Sequence, residues 1–547
     1  MVFVFSSWLL IGISAFIWGI AFVDIFIKKD ARFSLIMFCG LCALTVFSEF
    51  FSLFYKIGTL ARLCVFLADV LLLIKNKKSI LFNLKKIRDE LSWQQVLWIA
   101  ISCAVVLPLA SSYIMNSDTY LYHAQSLRWI TEFGVVKGIG NLHSRLAFDS
   151  SFLCLQALFG FEELYGQPMH SVNGFVAWLT LAYAGTSMKV WKAKKVFLSD
   201  GLRLGLVFML SEISGDFSSP GTDLFAHCLT FYIFIEWVSG LEEETDPVEL
   251  QIILSILSVY AMTLKLSAAL LILFSVGPAV RLLKEKQTKK ILYSVIAGVI
   301  ILLPFCYRNI MISGYLIYPM EQLDFFNADW KMPAWASQYE RLRTKAWAEE
   351  IFGVEELTAP FSTWFPYWFN AQAKETLWIL GGDAFICVSG GVYYLLHGIR
   401  KHRWDMFLVY AIMSANLLYW FLSAPNVRFG RSIILVPVSL AFGCILSKAK
   451  SKKNQFIPIV LMCICMLFPF SSLFTSARAE ERHFIRNVDY EEFDMIEYAL
   501  KDVALFIPAE GSRNGYYEFP VVINKETAEK IELRGKTLRE GFRVLNH

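Results

Sequence analysis

Apolar runs separated by short polar intervals fill most of the chain. A helix needs about 20 apolar residues to cross the hydrocarbon layer of a membrane, which is roughly 30 Å thick. Runs near this length recur through the 547 residues. They predict membrane-spanning helices near residues 7–27, 33–54, 57–74, 96–113, 171–190, 200–213, 223–239, 250–263, 266–280, 291–307, 377–397, 406–423, 432–448 and 455–475. Because several middle runs are short, we expect some to be half-helices or broken helices that meet at a buried site.

Two polar intervals and a polar tail interrupt the runs. The intervals cover residues 114–170 and 314–376, and the tail covers residues 476–547. We therefore expect one transmembrane module over residues 1–475 with two long loops, and a small C-terminal extracytoplasmic tail that covers its surface. The pattern leaves open whether residues 148–161 cross the membrane.

The composition agrees with this pattern. Hydrophobic residues make up 56% of the chain and charged residues 18%, and the mean hydropathy is +0.50, well above that of a soluble globular protein. The sequence therefore predicts an all-α polytopic membrane protein. The net charge of +4 is small and the basic residues form short clusters between the runs, so no nucleic-acid partner is implied.

The basic clusters orient the predicted helices, because Lys- and Arg-rich loops lie on the cytoplasmic side of a membrane. Most basic loops, including residues 75–88 and 281–290, fall on one side if residues 148–161 do not cross. The acidic turn at residues 242–246 falls on that side too and gives no support. Both long loops and the tail are then predicted to lie on the opposite, outer side.

Asp118 directly follows a predicted span, a position where an ionisable group often has a functional role. Asp118, Tyr122, Gln125 and Trp129 recur at i, i+4, i+7 and i+11, the spacing of one helical face. We expect an amphipathic helix along the membrane surface, where its aromatic residues would also serve as interfacial anchors. Asp118 could cap this helix, act as a general base, or do both.

Further polar residues accompany Asp118 on the predicted outer side. Imidazoles move protons and a guanidinium binds phosphate oxygens, so His123, His143 and Arg145 are candidate ligand contacts, although a solvated surface position explains each histidine as well. Asp223 follows a turn and either caps the next helix or supplies a second carboxylate near Asp118.

Four basic residues lie at predicted outer helix ends: Lys265, Arg308, Arg428 and Arg431. Cations are disfavoured there unless something anionic holds them, and a lipid-linked phosphate would do so. Pairing with outer carboxylates or with lipid headgroups is the alternative explanation.

Several short patterns occur in order along the chain. They are D-x-x-x-Y from Asp118 to Tyr122, T-x-K-x-S at residues 263–267, RN…SG…YP at residues 308–319, P-x-x-RFG at residues 425–430 and LRGKTLREGF at residues 533–542. Together they resemble the outer-loop signatures of the GT-C superfamily of integral membrane glycosyltransferases, in an uncharacterised bacterial subgroup.

The resemblance implies a GT-C-like bundle of about 12–14 transmembrane helices with outer-face loops and amphipathic juxtamembrane helices. It also implies inverting transfer of a sugar from a polyprenyl-phosphate donor to an acceptor hydroxyl of a glycan, lipid or protein. The transfer would occur on the periplasmic or exterior face of a bacterial inner membrane.

The resemblance also suggests roles for single residues. Asp118 would be the general base, and Lys265, Arg308 and Arg428 or Arg431 would hold the donor phosphate. The acceptor or the sugar would contact Tyr122, His123, His143, Arg145 and Asp223. Many relatives carry a second acidic residue beside the first, but Thr119 and Tyr120 follow Asp118 here. Whether Asp118 and Asp223 bind a divalent cation, Mg²⁺ or Mn²⁺, therefore stays open.

Three other functions fit parts of the pattern. A polymerase or ligase of lipid-linked polysaccharide would share the spans, outer loops and arginines, but would use a lipid-diphosphate oligosaccharide. A transporter would place its site at mid-membrane between internal repeats, and we find no convincing repeat. A scaffold that only binds sugar or lipid would keep its function after Asp118→Asn.

Overall fold

The computed structural model describes residues 1–27, 31–190, 195–243, 248–352, 357–401, 404–448, 456–472 and 484–545. These residues are mostly helical. The α-helices are α1 Val2–Val23, α2 Phe33–Ser52, α3 Thr59–Lys75, α4 Lys77–Glu90, α5 Trp93–Ala110, α6 Ala124–Glu132, α7 Ser151–Leu158, α8 Glu162–Tyr165, α9 Val172–Thr186, α10 Leu198–Glu212, α11 Asp223–Glu242, α12 Val248–Leu264, α13 Val276–Lys284, α14 Thr288–Ser313, α15 Ala334–Ala348, α16 Phe361–Ala371, α17 Lys374–Lys401, α18 Asp405–Ser423, α19 Val427–Lys448, α20 Ile457–Ser472 and α21 Lys525–Glu529. The 3₁₀-helix Leu266–Ser275 runs directly into α13.

Nine helices within the described ranges are long and apolar enough to cross a membrane: α1, α2, α5, α11, the continuous helix Leu266–Lys284, α14, α17, α18 and α19. Five other predicted spans form helices of 15 to 17 residues, namely α3, α9, α10, α12 and α20. At 1.5 Å per residue these reach about 25 Å or less, so the apolar runs overstate the number of full-length spans.

The interval around residues 148–161 holds only a short helix. The eight residues of α7 rise about 12 Å, too little to cross a hydrocarbon layer. All eight are buried among other helices. This segment therefore re-enters the protein without crossing, as the orientation by basic loops requires.

Glycines set the closest helix contact in the bundle. A Cβ atom added to Gly40 of α2 would lie 1.7 Å from the carbonyl oxygen of Ala15, and one added to Gly19 of α1 would lie 1.9 Å from that of Ile36. Only residues without a side chain allow two helix backbones to approach so closely. The pair α1 and α2 thus packs through its glycines, which the hydropathy pattern alone does not reveal.

The segment after Asp118 is helical, as its spacing predicts. A π-helix, Thr119–His123, continues directly into α6. Gln125 and Trp129 are each only 1% exposed, and Trp129 packs edge-on against Phe519 of the tail. Trp129 is therefore not the interfacial anchor that the sequence predicts, because the chain itself covers it.

The C-terminal tail forms two antiparallel pairs of strands: β1 Met495–Leu500 with β2 Val503–Pro508, and β3 Ile531–Leu533 with β4 Phe542–Val544. It lies along the whole first loop. Backbone hydrogen bonds join Val488 to Ser111, Ile523 to Leu142 and Phe542 to Lys137, at 3.0–3.1 Å. The tail thus covers the end of the bundle at which Asp118 lies.

Candidate functional site

Four charged residues meet where the ends of several helices converge, and we call them the Asp118 cluster: Asp118, Asp223, Lys265 and Arg428. Asp118 follows α5 and precedes the π-helix, Asp223 begins α11, Lys265 follows α12, and Arg428 lies in the first turn of α19. Residues distant in the sequence therefore share one site because one end of each helix faces the same place.

Arg428 joins the two carboxylates. Its Nη2 atom donates to Asp118 Oδ2 at 2.5 Å, and its Nε atom donates to Asp223 Oδ2 at 2.9 Å. Lys265 Nζ pairs with the remaining oxygen of Asp223, Oδ1. Two cations and two carboxylates therefore form a charge-balanced set, which lowers the cost of placing them together in a partly desolvated position.

One oxygen in this set is left without a protein partner. Asp118 Oδ1 makes no hydrogen bond or ion pair to any described residue, while Oδ2 is held by Arg428. The Asp118 side chain keeps 17% of its surface exposed, and that of Arg428 keeps 32%. The carboxylate is thus fixed through one oxygen, while the other makes no bond to the described residues, the arrangement expected of a positioned base.

The backbone at Asp118 is tied to the turn before α11. The Asp118 amide donates to Asn116 Oδ1 at 3.0 Å, and Asn116 Nδ2 donates to Asp216 Oδ1 at 3.0 Å. The hydroxyls of Thr119 and Ser219 lie 3.0 Å apart. Burial raises the pKa of Asp216, whose carboxyl group serves as this anchor.

His123 and Tyr122 lie beside the cluster, with ring centroids 4.2 Å apart. His123 is 1% exposed, and neither of its ring nitrogens has a hydrogen-bond partner among the described residues. Burial lowers the pKa of His123 to about 4, so the imidazole is neutral at pH 7 and offers one donor and one acceptor. Burial also raises the pKa of the Tyr122 phenol, which keeps its proton.

The aromatic ring of Phe429 supports the lysine of the cluster. Lys265 Nζ lies 4.7 Å from the centroid of this ring, and the adjacent Arg428 carbonyl contacts His227 Nε2 at 3.0 Å. The other nitrogen of His227, Nδ1, lies 2.9 Å from the Ser432 hydroxyl. His227 thus fixes the start of α19, and its place four residues after Asp223 was a helical-spacing signal that the sequence analysis overlooked.

Arg308 does not join the Asp118 cluster. Its guanidinium binds Asp149 at 3.1–3.3 Å and the Ser52 hydroxyl at 2.6 Å, and both charged side chains are 2% exposed. The cavity that Arg308 and Asp149 line leaves about 10 Å³ for the centre of a water molecule, which is about one water and too little for a phosphate group. The prediction that Arg308 converges with the other cations is therefore wrong.

Arg431 also points elsewhere. Its nearest carboxylate is Glu212 at 3.8 Å, and both side chains are partly exposed, at 26% and 45%. No ion pair in the described chain joins Arg431 to Asp118 or Asp223. Of Arg428, inside the P-x-x-RFG pattern, and Arg431, directly after it, only Arg428 faces the cluster.

His143 and Arg145 form a separate structural contact. His143 Nδ1 accepts a hydrogen bond from the Arg145 amide at 3.0 Å, and the Arg145 side chain lies 3.5 Å from Glu340 of α15. Burial lowers the pKa of His143 to about 3. These residues hold a 3₁₀ turn against α15, and no hydrogen bond within the described ranges links them to the Asp118 cluster.

A bound divalent cation does not fit the residues that are present. Both oxygens of Asp223 and one of Asp118 are already taken by Lys265 and Arg428. In the part of the chain that the structure describes, no three His, Cys, Asp or Glu side chains are grouped to hold a metal. Mg²⁺ and Mn²⁺ prefer several open oxygen ligands, so the guanidinium stands where such an ion would.

The fold and site define a helical protein whose described residues include nine helices long and apolar enough to cross a membrane, with a charged cluster where helix ends converge. Residues 1–435 match the family model DUF8201, a domain of unknown function, so the chain belongs to the DUF8201 family. Neither the curated proteins nor the solved structures contain a match.

Proposed function

We propose that this protein is an inverting membrane glycosyltransferase of GT-C type. It transfers a sugar from a polyprenyl-phosphate donor to an acceptor hydroxyl on the periplasmic or exterior face of a bacterial inner membrane, in cell-envelope glycan or glycoprotein assembly. The observation that carries the proposal is the Asp118 carboxylate. Arg428 holds one of its oxygens, the other oxygen makes no bond to any described residue, and Lys265 supplies a second cation to the same cluster. If the five shorter helices cross together with the nine long ones, the bundle has fourteen spans.

The proposed reaction combines proton transfer to Asp118 with departure of the polyprenyl phosphate. Asp118 Oδ1 takes the proton of the acceptor hydroxyl, whose oxygen forms a bond to the anomeric carbon of the sugar. The bond between that carbon and the phosphate oxygen breaks, and its electron pair stays on the departing polyprenyl phosphate. The phosphate therefore gains one negative charge while Asp118 loses one.

Arg428 couples these two changes. Protonation of Asp118 weakens its pairing with Arg428, so the guanidinium becomes available to the phosphate just as the phosphate charge grows. Lys265 lies on the far side of Asp223 and adds a second fixed cation. Preorganised cations of this kind stabilise the transition state more than the ground state, because the leaving-group charge exists only late in the reaction.

His123 is neutral and its two ring nitrogens have no hydrogen-bond partner among the described residues, so it suits a contact with a hydroxyl of the sugar or the acceptor. A sugar or acceptor hydroxyl can both donate to and accept from an imidazole, which would satisfy the two buried ring nitrogens. Tyr122 lies next to it and presents a ring and a phenol to the same ligand. A transporter site would instead lie at mid-membrane, away from helix ends.

The experiment reconstitutes the purified protein in liposomes with a panel of synthetic undecaprenyl-phosphate hexoses and pentoses, labelled in the sugar, and supplies envelope extract as acceptor. Label should move to the acceptor fraction, and Arg428→Gln should lose donor affinity. Arg431→Gln, three residues away, is the matched control and should retain it. Transfer should persist with EDTA, whereas loss of transfer with EDTA would show that a metal is obligatory. No transfer with any donor would refute the proposal.

A further inference from the structure

The helix turn that follows Asp118 has an unusual backbone. Residues Thr119–His123 form a π-helix, in which the Ala124 amide bonds to the carbonyl of Thr119 five residues earlier. Such turns contain one residue more than the α-helical repeat, are rare and occur frequently at functional sites. An extra residue rotates the side chains before it by about 100° relative to those after it.

The tail supplies hydrogen-bond donors to this turn. The backbone amide of Asn514 donates to the carbonyl of Tyr120 at 2.6 Å, and the side-chain nitrogen Nδ2 of Asn514 donates to the carbonyl of Leu121. The Gly515 amide approaches the same Tyr120 carbonyl at 3.3 Å. Asn514 is 3% exposed, so these donors are shielded from competing water.

A second set of bonds holds the next turn. Gln125 Nε2 donates to the carbonyl of Glu518 at 2.8 Å, and Gln125 Oε1 accepts from the Val521 amide at 3.3 Å. On the opposite side, the Tyr120 hydroxyl accepts from the Glu491 amide at 3.3 Å. The π-helix is therefore held by two tail segments, one before β1 and one after β2.

We propose that the tail, which lies beyond the residues matched by the family model, is a positioning element of the Asp118 site, with Asn514 as its principal residue. Without the Asn514 side-chain donor the carbonyl of Leu121 loses its partner and that of Tyr120 keeps only backbone donors, and the turn rewinds to an α-helix. That rewinding turns Asp118 away from Arg428 relative to Tyr122 and His123. The consequence for sugar transfer rests on the proposed function, but the consequence for the backbone does not.

The test measures hydrogen exchange by mass spectrometry in the full-length wild type and in three full-length variants, Asn514→Ala, Asn514→Asp and Asn524→Ala. Asn524 is the matched control, because its side chain caps α21 in the same tail and makes no hydrogen bond to the described residues of the first loop. In both Asn514 variants the amides of residues 119–125 should exchange about 5-fold faster, since a net hydrogen bond of about 1 kcal/mol corresponds to that factor. Asn524→Ala should leave them unchanged.

Sugar transfer gives the second readout. The Asn514 variants should lose kcat by about 10-fold with little change in the KM for donor, because the base is misplaced while Lys265 and Arg428 remain. Wild-type exchange rates in Asn514→Ala would overturn the positioning role, as would faster exchange with unaltered kcat. A wild type that transfers no sugar would refute the proposed function, and the exchange rates would still decide whether the tail holds the turn.

Discussion

Replacing Arg428 tests whether the Asp118 cluster is one interacting unit. Breaking a buried ion pair costs about 3–5 kcal/mol, because the partner charge is left without compensation. The Arg428 side chain is 32% exposed, so water screens part of this loss and we expect Arg428→Gln to cost about 2 kcal/mol. With an unfolding entropy of about 2.1 cal/mol/K per residue, this lowers the unfolding midpoint by about 2 °C for a chain of 547 residues.

The assay is a double-mutant cycle in detergent with a dye that reacts with thiols exposed on unfolding. Cys39, Cys42 and Cys228 are buried and report unfolding, and the exposed Cys463 is changed to serine in every variant. The cycle of Asp118→Asn with Arg428→Gln should give a coupling energy of about 1–2 kcal/mol. The cycle of Glu212→Gln with Arg431→Gln, a longer pair between the end of α10 and the helix that carries Arg428, should give under about 0.3 kcal/mol. Equal coupling energies in the two cycles would refute the reasoning.

Two further predictions concern packing and pH. Gly40→Ala should destabilise the protein by at least about 2 kcal/mol, because its Cβ would overlap the Ala15 carbonyl, whereas Gly298→Ala meets nothing within 4 Å and should shift the unfolding midpoint little. The unfolded state binds a proton at His123 near its ordinary pKa of 6.5 and the folded state only near 4, so stability falls as the pH falls through this window. Between pH 7 and pH 5, the free energy of unfolding of His123→Gln should therefore fall by about 2 kcal/mol less than that of the wild type in the same thermal assay. An unchanged pH dependence would contradict the neutral, buried imidazole.

The hydropathy pattern predicts the helices well because a helix suited to cross a membrane must be apolar along its whole length. Each predicted apolar run coincides with a helix, and the polar ends of α11 and α12 supply Asp223 and Lys265 to the site. The same pattern overstates the full-length spans, because a run of 15 apolar residues can be buried against other helices without crossing.

Side-chain partners depend on three-dimensional packing and were not predictable in this way. Arg308 and Asp149 are 159 residues apart, and nothing local in either segment indicates the other. Arg428 and Arg431 share a helix, yet a separation of three residues turns them toward different carboxylates. The burial of Gln125 and Trp129 was also missed, since an amphipathic face looks the same whether a membrane surface or a protein tail covers it.

The rate of sugar transfer by Asp118→Asn at saturating donor tests the central claim most directly. Asparagine keeps the shape of the side chain and an oxygen near Arg428 but cannot take the acceptor proton. A positioned base supplies about 10²- to 10⁴-fold in rate, so kcat should fall by that factor while the donor remains bound. Transfer at the wild-type rate by Asp118→Asn would contradict the account.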